Sequence, residues 1–220
     1  MTIRTLEFWI GYGSTYSYLS VMRIDTAVAG TGIQIAWKPF NIRTLMIEKG
    51  LPTGPFTPRP DKLAYMWRDL ERRAQRRGLA YAKPPQYPVD SQRTVRVAYL
   101  AAAEGWCGEF SRKVFEMNFV EGRSIGGPGH LEAALNEIDR DPERVIARAH
   151  QPDIEEGLAA QTRRAIDLGL FGSPNFRVGD ELFWGDDRLE DAIEWCLNGR
   201  LAPSVACCRC FPNPLHEPIS

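Results

Sequence analysis

Strand signals stand near the two ends of this chain, with a long helical stretch between them, and that order limits the folds open to it. Leu6–Ile10 is apolar and aromatic and reads as a strand. A helix follows over roughly Tyr16–Ala29, the Gly30-Thr31-Gly32 turn ends it, and Ile33–Lys38 reads as a second strand. Pro39 and the segment Gly50–Pro60, with four prolines, read as a long loop. Leu63, Met66, Trp67, Leu70 and Ala74 then fall on one helical face, with Gly78 as a stop. Further helices are expected at Arg93–Glu104, Phe110–Val120, His130–Asp139, after the Asp141-Pro142 start, and at Ile154–Leu168 before Gly169. Strands return at Phe176–Val178 and Glu181–Trp184, joined by Gly179-Asp180 as a hairpin turn. A last helix carries Leu189, Ala192, Ile193 and Cys196 on one side, with Asp186 or Asp187 as its cap and Asn198-Gly199 at its end. The two β-containing ends can share one mixed α/β sheet with the helical block inserted between them.

The bulk numbers narrow the class. With 220 residues, 44% hydrophobic and 25% charged, the chain reads as an ordinary globular protein. A net charge of −1 gives no reason to expect nucleic acid or an anionic membrane as partner. No apolar run is long enough to span a bilayer, and the start of the chain has no secretory pattern. Five cysteines at uneven positions suggest no disulfide framework, which points to a reducing cytoplasm.

The turn after the first strand carries the chemistry. Gly13-Ser14-Thr15-Tyr16-Ser17-Tyr18-Leu19 leads into the first helix. A disulfide oxidoreductase built this way would hold a Cys-x-x-Cys pair here. The matching positions are Ser14 and Ser17, and the first cysteine in the chain is Cys107. A serine at a helix mouth can still stabilise a thiolate that belongs to another molecule. It can equally be an N-cap with no chemistry.

This turn resembles the Ser-Pro-x-Ser-Tyr-Leu turn of the 2-hydroxychromene-2-carboxylate isomerases, relatives of the kappa-class glutathione transferases in the DsbA-like branch of thioredoxin folds. Trp37-Lys38-Pro39, Lys62-Leu63-Ala64-Tyr65-Met66 with Asp69-Leu70-Glu71-Arg72, Phe171-Gly172-Ser173-Pro174-Asn175-Phe176 and Leu182–Leu189 match further stretches in the right order. The match runs from about residue 6 to 198. It implies a thioredoxin-like mixed sheet at 1–40 and 170–200, a large all-helical insertion at 41–169, and a C-terminal extension at 201–220.

The resemblance implies glutathione as cofactor, a small aromatic ketoacid as substrate, isomerisation by reversible thiolate addition, and a homodimer. Ser14 would donate to the glutathione sulfur, whose free thiol has a pKa of about 8.5. Ser17, one turn on, reads as structural. Pro174 would follow a cis peptide, and Ser173 would pair its backbone with the tripeptide. Asp187 would meet the γ-glutamyl ammonium or serve only as a cap. Lys62 would touch glutathione and Lys38 the substrate's carboxylate or phenolate, although a lone lysine of either kind is often a solvated one.

Three positions depart from the family pattern. Thr15 replaces a proline, Ser173 replaces a valine, and Asp186 replaces a neutral residue. The Asp186 carboxylate would either repel the glutathione α-carboxylate or cap the helix and face water. Alternative functions are a kappa-like transferase and a ligand-binding thioredoxin fold without turnover, which Thr15 and Asp186 favour. His130, His150 and His216 form no ligand pattern, and adjacent Cys207 and Cys208 with Cys210 suit a single tetrahedral metal site poorly. No metal is expected.

Overall fold

A computed structural model describes residues 4–203. The cysteine-containing tail, with Cys207, Cys208, Cys210 and His216, lies outside the described residues. Four strands form one mixed sheet in the order β2-β1-β3-β4. Strand β1 (Arg4–Ile10) runs parallel to β2 (Ile33–Pro39), so the chain must cross over between them. Helices α1 (Thr15–Val21) and α2 (Ile24–Val28) make that crossover. Strand β3 (Asn175–Val178) lies antiparallel to β1 and forms a hairpin with β4 (Glu181–Trp184). Between β2 and β3 come α3 (Ile42–Glu48), α4 (Pro60–Arg76), α5 (Gln92–Glu104), α6 (Cys107–Phe119), α7 (His130–Asn136), α8 (Pro142–Ala149) and α9 (Pro152–Asp167). Helix α10 (Leu189–Asn198) follows the hairpin. The fold is thus a thioredoxin-like mixed sheet with helices inserted between its halves.

Side chains alternate across a strand, so β1 feeds two cores. Leu6, Phe8 and Ile10 join Tyr18 and Leu19 of α1, Phe110 and Phe115 of α6, and Leu189 of α10 in one continuous cluster. Trp9 points the other way, to Phe40, Leu45, Met46, Ala165 and Leu170. The first cluster runs from the sheet and α1 into the inserted helices without a break, so α4–α8 share the core of the sheet, while α9 contributes to both cores. No helix among the described residues is long and apolar enough to cross a membrane.

Three features differ from the sequence reading. The expected single helix at 16–29 is two, because the backbone breaks at Met22 and Arg23. The Arg23 guanidinium is drawn to Asp186 and Glu190 on the far side of the sheet connection. Helix α3 sits where a loop was expected. Asn41 caps it by accepting from the N–H groups of Arg43 and Thr44. Neither Asp186 nor Asp187 caps the last helix: both lie in a 3-10 turn, Asp186–Arg188, and α10 starts without a side-chain cap. The Asp141 cap of α8 is present, with its carboxylate accepting from the Arg144 N–H.

Candidate active site

Antiparallel pairing sets the site. Trp9 of β1 lies opposite Asn175 of β3. The turn leaving β1, Gly11–Ser14, therefore meets the loop entering β3, Gly172–Pro174. The peptide between Ser173 and Pro174 is cis. The Ser173 hydroxyl accepts from the Gly11 N–H at 2.8 Å and shares a hydrogen bond with the Ser17 hydroxyl at 2.9 Å. One side chain thus ties the turn to the first helix and to the cis-proline loop. The Ser14 hydroxyl donates to the Ser173 carbonyl at 2.6 Å. Ser14 occupies the N-cap position of α1 with extended backbone, yet its side chain makes no capping hydrogen bond. The capping alternative is therefore not what this hydroxyl does.

Close approach explains two glycines here. A Cβ on Gly11 would lie 2.6 Å from Ile42 Cβ, and one on Gly13 would lie 3.3 Å from Ile42 Cγ2. Helix α3 thus presses its first residue onto the turn. Beside Ser14 a narrow cleft of about 10 Å³ is lined by Tyr12, Tyr87, Val89, Asn118 and Phe119 among others. That is near the volume one water needs. The segment around Tyr87 was not singled out by sequence. Tyr87 stacks edge-on against Trp67, and burial pushes its hydroxyl up to about 12. Tyr12 shares a 2.6 Å hydrogen bond with Ser111, and burial raises its pKa well above the ordinary value.

The Asp186-Asp187 pair divides its work. Asp186 is 1% exposed. Its carboxylate takes the Arg23 guanidinium at 3.1 Å, the Arg73 guanidinium at 3.0 Å and the Ser20 hydroxyl at 3.2 Å. A buried carboxylate persists when its charge and lone pairs are met in this way. It neither faces water nor stands free to repel an anion. Asp187 remains half exposed, 3.2 Å from Arg188 and 3.8 Å from Arg73. Arg73, reaching both aspartates from α4 and lying 5.7 Å from the Tyr16 ring, was missed by sequence reasoning. Its signal was its place beside the buried Leu70–Ala74 stripe of α4.

The two lysines are not brought to the cleft. Lys38 pairs in register with Trp9, while its neighbour Trp37 packs on the core that holds α1. Lys38 therefore lies on the second sheet face, with Trp9, and not on the face that holds α1. Lys62 is exposed on the first turn of α4, its ammonium 5.4 Å from the Phe56 ring centroid. Thr15 donates to the Met66 thioether at 3.3 Å and is buried, so this departure from the family pattern serves packing.

The turn holds no thiol. Cys107 is fully buried, and burial pushes it up to about 12. Cys196 lies on α10 and is raised by burial as well. Neither is placed or poised for thiol exchange.

The family profile described as a DSBA-like thioredoxin domain matches residues 5–194. The chain belongs to the DsbA-like thioredoxin family. Within that family it is 28% identical over 186 residues to a 2-hydroxychromene-2-carboxylate isomerase of Pseudomonas putida, covering 84% of this chain and 90% of the relative. A solved 2-hydroxychromene-2-carboxylate isomerase superposes with a TM-score of 0.75 at 26% identity, over 84% of this chain and 90% of that one. A probable DsbA oxidoreductase from Streptomyces coelicolor superposes with a TM-score of 0.66 at 18% identity, over 97% and 99%, which shows the shared DsbA-like fold. Curated relatives that match most of this chain are thus named as isomerases, and the turn after β1 carries Ser14 and Ser17 where a Cys-x-x-Cys pair would stand.

Proposed function

We propose that this chain is a glutathione-dependent isomerase of small aromatic ketoacids. The observation that carries the reading is the Ser14 hydroxyl, held at the mouth of α1 against the carbonyl that precedes the cis proline. An extended tripeptide laid along the Ser173 backbone would donate its cysteinyl N–H to that same carbonyl. The Ser14 proton is then released toward the neighbouring sulfur. One hydroxyl donor, aided by the positive end of the helix, supplies the roughly 1.4 kcal/mol that lowers a thiol pKa by about one unit.

In the reaction, the thiolate adds to an electrophilic carbon conjugated to the substrate's carbonyl. A carbon–sulfur bond forms, and the electron pair of the double bond moves onto the oxygen. The former double bond now rotates freely. Collapse of the enolate restores the double bond in its new geometry and expels the thiolate, so glutathione is regenerated. The narrow cleft suits a sulfur atom and not a ring, so the aromatic body enters as the segment around Tyr87 moves outward. That segment is held to α6 by a backbone bond, Ala82 N–H to the Phe119 carbonyl, and to α4 by the edge-on contact of Tyr87 with Trp67, which its outward movement would break.

Asp187 is the partner for the γ-glutamyl ammonium because its carboxylate is half exposed, whereas Asp186 is consumed by Arg23 and Arg73. Asp186 holds the loop and does not touch the tripeptide. The non-catalytic reading drew on Thr15 and Asp186, and both are turned inward by ordinary packing and ion pairing. The test is an absorbance assay with a hydroxychromene carboxylate, with and without glutathione. Turnover that needs the tripeptide and is lost in Ser14→Ala supports the reading. Turnover independent of glutathione, or none with it, removes it.

A further inference from the structure

A second cavity, open to solvent on one side, lies beside the active-site turn, between α3, α5 and α9, with a volume of about 230 Å³. It shares no lining residue with the Ser14 cleft. Ile42 and Ser91 stand between the two: a Cβ on Gly13 would meet Ile42 at 3.3 Å and the Ser91 hydroxyl at 3.7 Å. Asn41 and Gln92, the chain neighbours of those two residues, line the second cavity instead.

Its chemistry is two-sided. Leu158, Ala159 and Ile166 of α9 give an apolar floor. Two guanidinium groups stand over it. Arg96 is paired with Glu155 at 3.1 Å, but Arg163 meets Glu48 at 3.8 Å, beyond hydrogen-bonding reach. The donors of Arg163 are left for a guest. Asn41 spends its amide oxygen on the α3 N-terminus, and its amide NH2 remains a donor.

We propose that this cavity binds a small monoanion with an apolar body: a one- or two-ring aromatic carboxylate. The floor rewards an apolar ring, which a bare phosphate lacks. The Glu155 carboxylate at the rim opposes a second negative charge. The volume falls below the ~300–1,000 Å³ typical of sites for larger ligands. The site is independent of thiol chemistry at Ser14.

Calorimetric titration of the full chain with benzoate and 2-naphthoate, without glutathione, tests it. Saturable one-to-one binding is expected, unchanged in Ser14→Ala. Arg163→Gln and Ala159→Phe each weaken it by about tenfold. Both positions are exposed on α9, so neither substitution threatens the fold. Glu155→Gln tightens binding, because it frees the Arg96 guanidinium. Benzamide and inorganic phosphate bind at least as weakly as benzoate does to Arg163→Gln. Absence of saturable carboxylate binding overturns the proposal. So does binding that survives both α9 substitutions or vanishes in Ser14→Ala, which places the ligand elsewhere. Phosphate binding as tight as benzoate overturns the ligand class.

Discussion

Ser14 donates its hydroxyl proton to the carbonyl of Ser173 at 2.6 Å, across 159 residues of chain. The bond joins the two halves of the sheet at the point where a thiol would lie. It also means that the Ser14 proton is already directed along the loop that, on the proposed function, would hold the tripeptide.

Removing that hydroxyl loses one hydrogen bond, worth about 1 kcal/mol, and should leave the fold intact, since Gly11 and Ser17 still tie Ser173 to the turn. Ser14→Ala is expected to lower kcat by about a hundredfold, the usual effect of losing one donor to a developing or standing anion. Glutathione affinity should change much less, because the Ser173 backbone and Asp187 persist. The thiolate ultraviolet band of bound glutathione, followed against pH, should shift upward in the variant. A band unchanged in position would show that another group tames the sulfur.

Asp186 offers a sharper structural test. Its carboxylate joins Arg23 and Arg73, and all three come from different elements. Asp186→Asn takes the buried carboxylate from Arg23, which is 11% exposed and keeps Glu190, and from Arg73, which keeps Asp187 at 3.8 Å. Breaking a buried pair on one side costs about 3 kcal/mol. Urea unfolding should show that loss, and the KM for glutathione should rise as the Asp187 loop loosens, with kcat for the bound complex less affected. A variant of unchanged stability would mean that the ion pairs contribute nothing.

Two glycines should respond differently to alanine. At Gly11 the obstructing atom is Ile42 Cβ, rooted in the α3 backbone, 2.6 Å from the added carbon. Helix and turn must then separate, at about 1–3 kcal/mol, and the Ser173 bond to the Gly11 N–H is strained with them. At Gly172 the obstructing atom is Trp184 Nε1 at 2.5 Å, the far end of an indole that is 53% exposed. That ring can swing away. Thermal unfolding should show a clear loss for Gly11→Ala and less than about 1 kcal/mol for Gly172→Ala.

Much of this was legible in local pattern. The apolar run Leu6–Ile10 and the Gly179-Asp180 turn announce strands because their physics is short-range. The serine turn announces its place because a helix start has a local signature. Helix α3 was hidden because its seven residues are bracketed by Pro39 and the proline-rich stretch after Gly50, and only Asn41 marks its start. The break at Arg23 and the burial of Asp186 could not be read locally. Their partners sit 163 and 113 residues away, and a carboxylate's neighbours decide whether it faces water. Ser173 reads as a loop residue until Gly11 and Ser17 are seen to share its hydroxyl.

His130 gives the chain an acid limit. Its ring is 3% exposed, and neither nitrogen has a hydrogen-bond partner among the described residues. Burial, with the nearby Arg123 guanidinium, lowers its pKa to about 4 from the ordinary 6.5. Between those two values the unfolded chain binds a proton that the folded chain refuses. Stability therefore falls as pH drops from about 6.5 toward 4 and gains nothing further from this group at higher pH. The loss amounts to about 3 kcal/mol from this residue by pH 4. His130→Leu fills a similar volume without a titrating group, so its stability should fall less steeply across that window. Equal slopes for the variant and the parent in urea unfolding at pH 6.5 and pH 4.5 would assign the acid sensitivity to other groups.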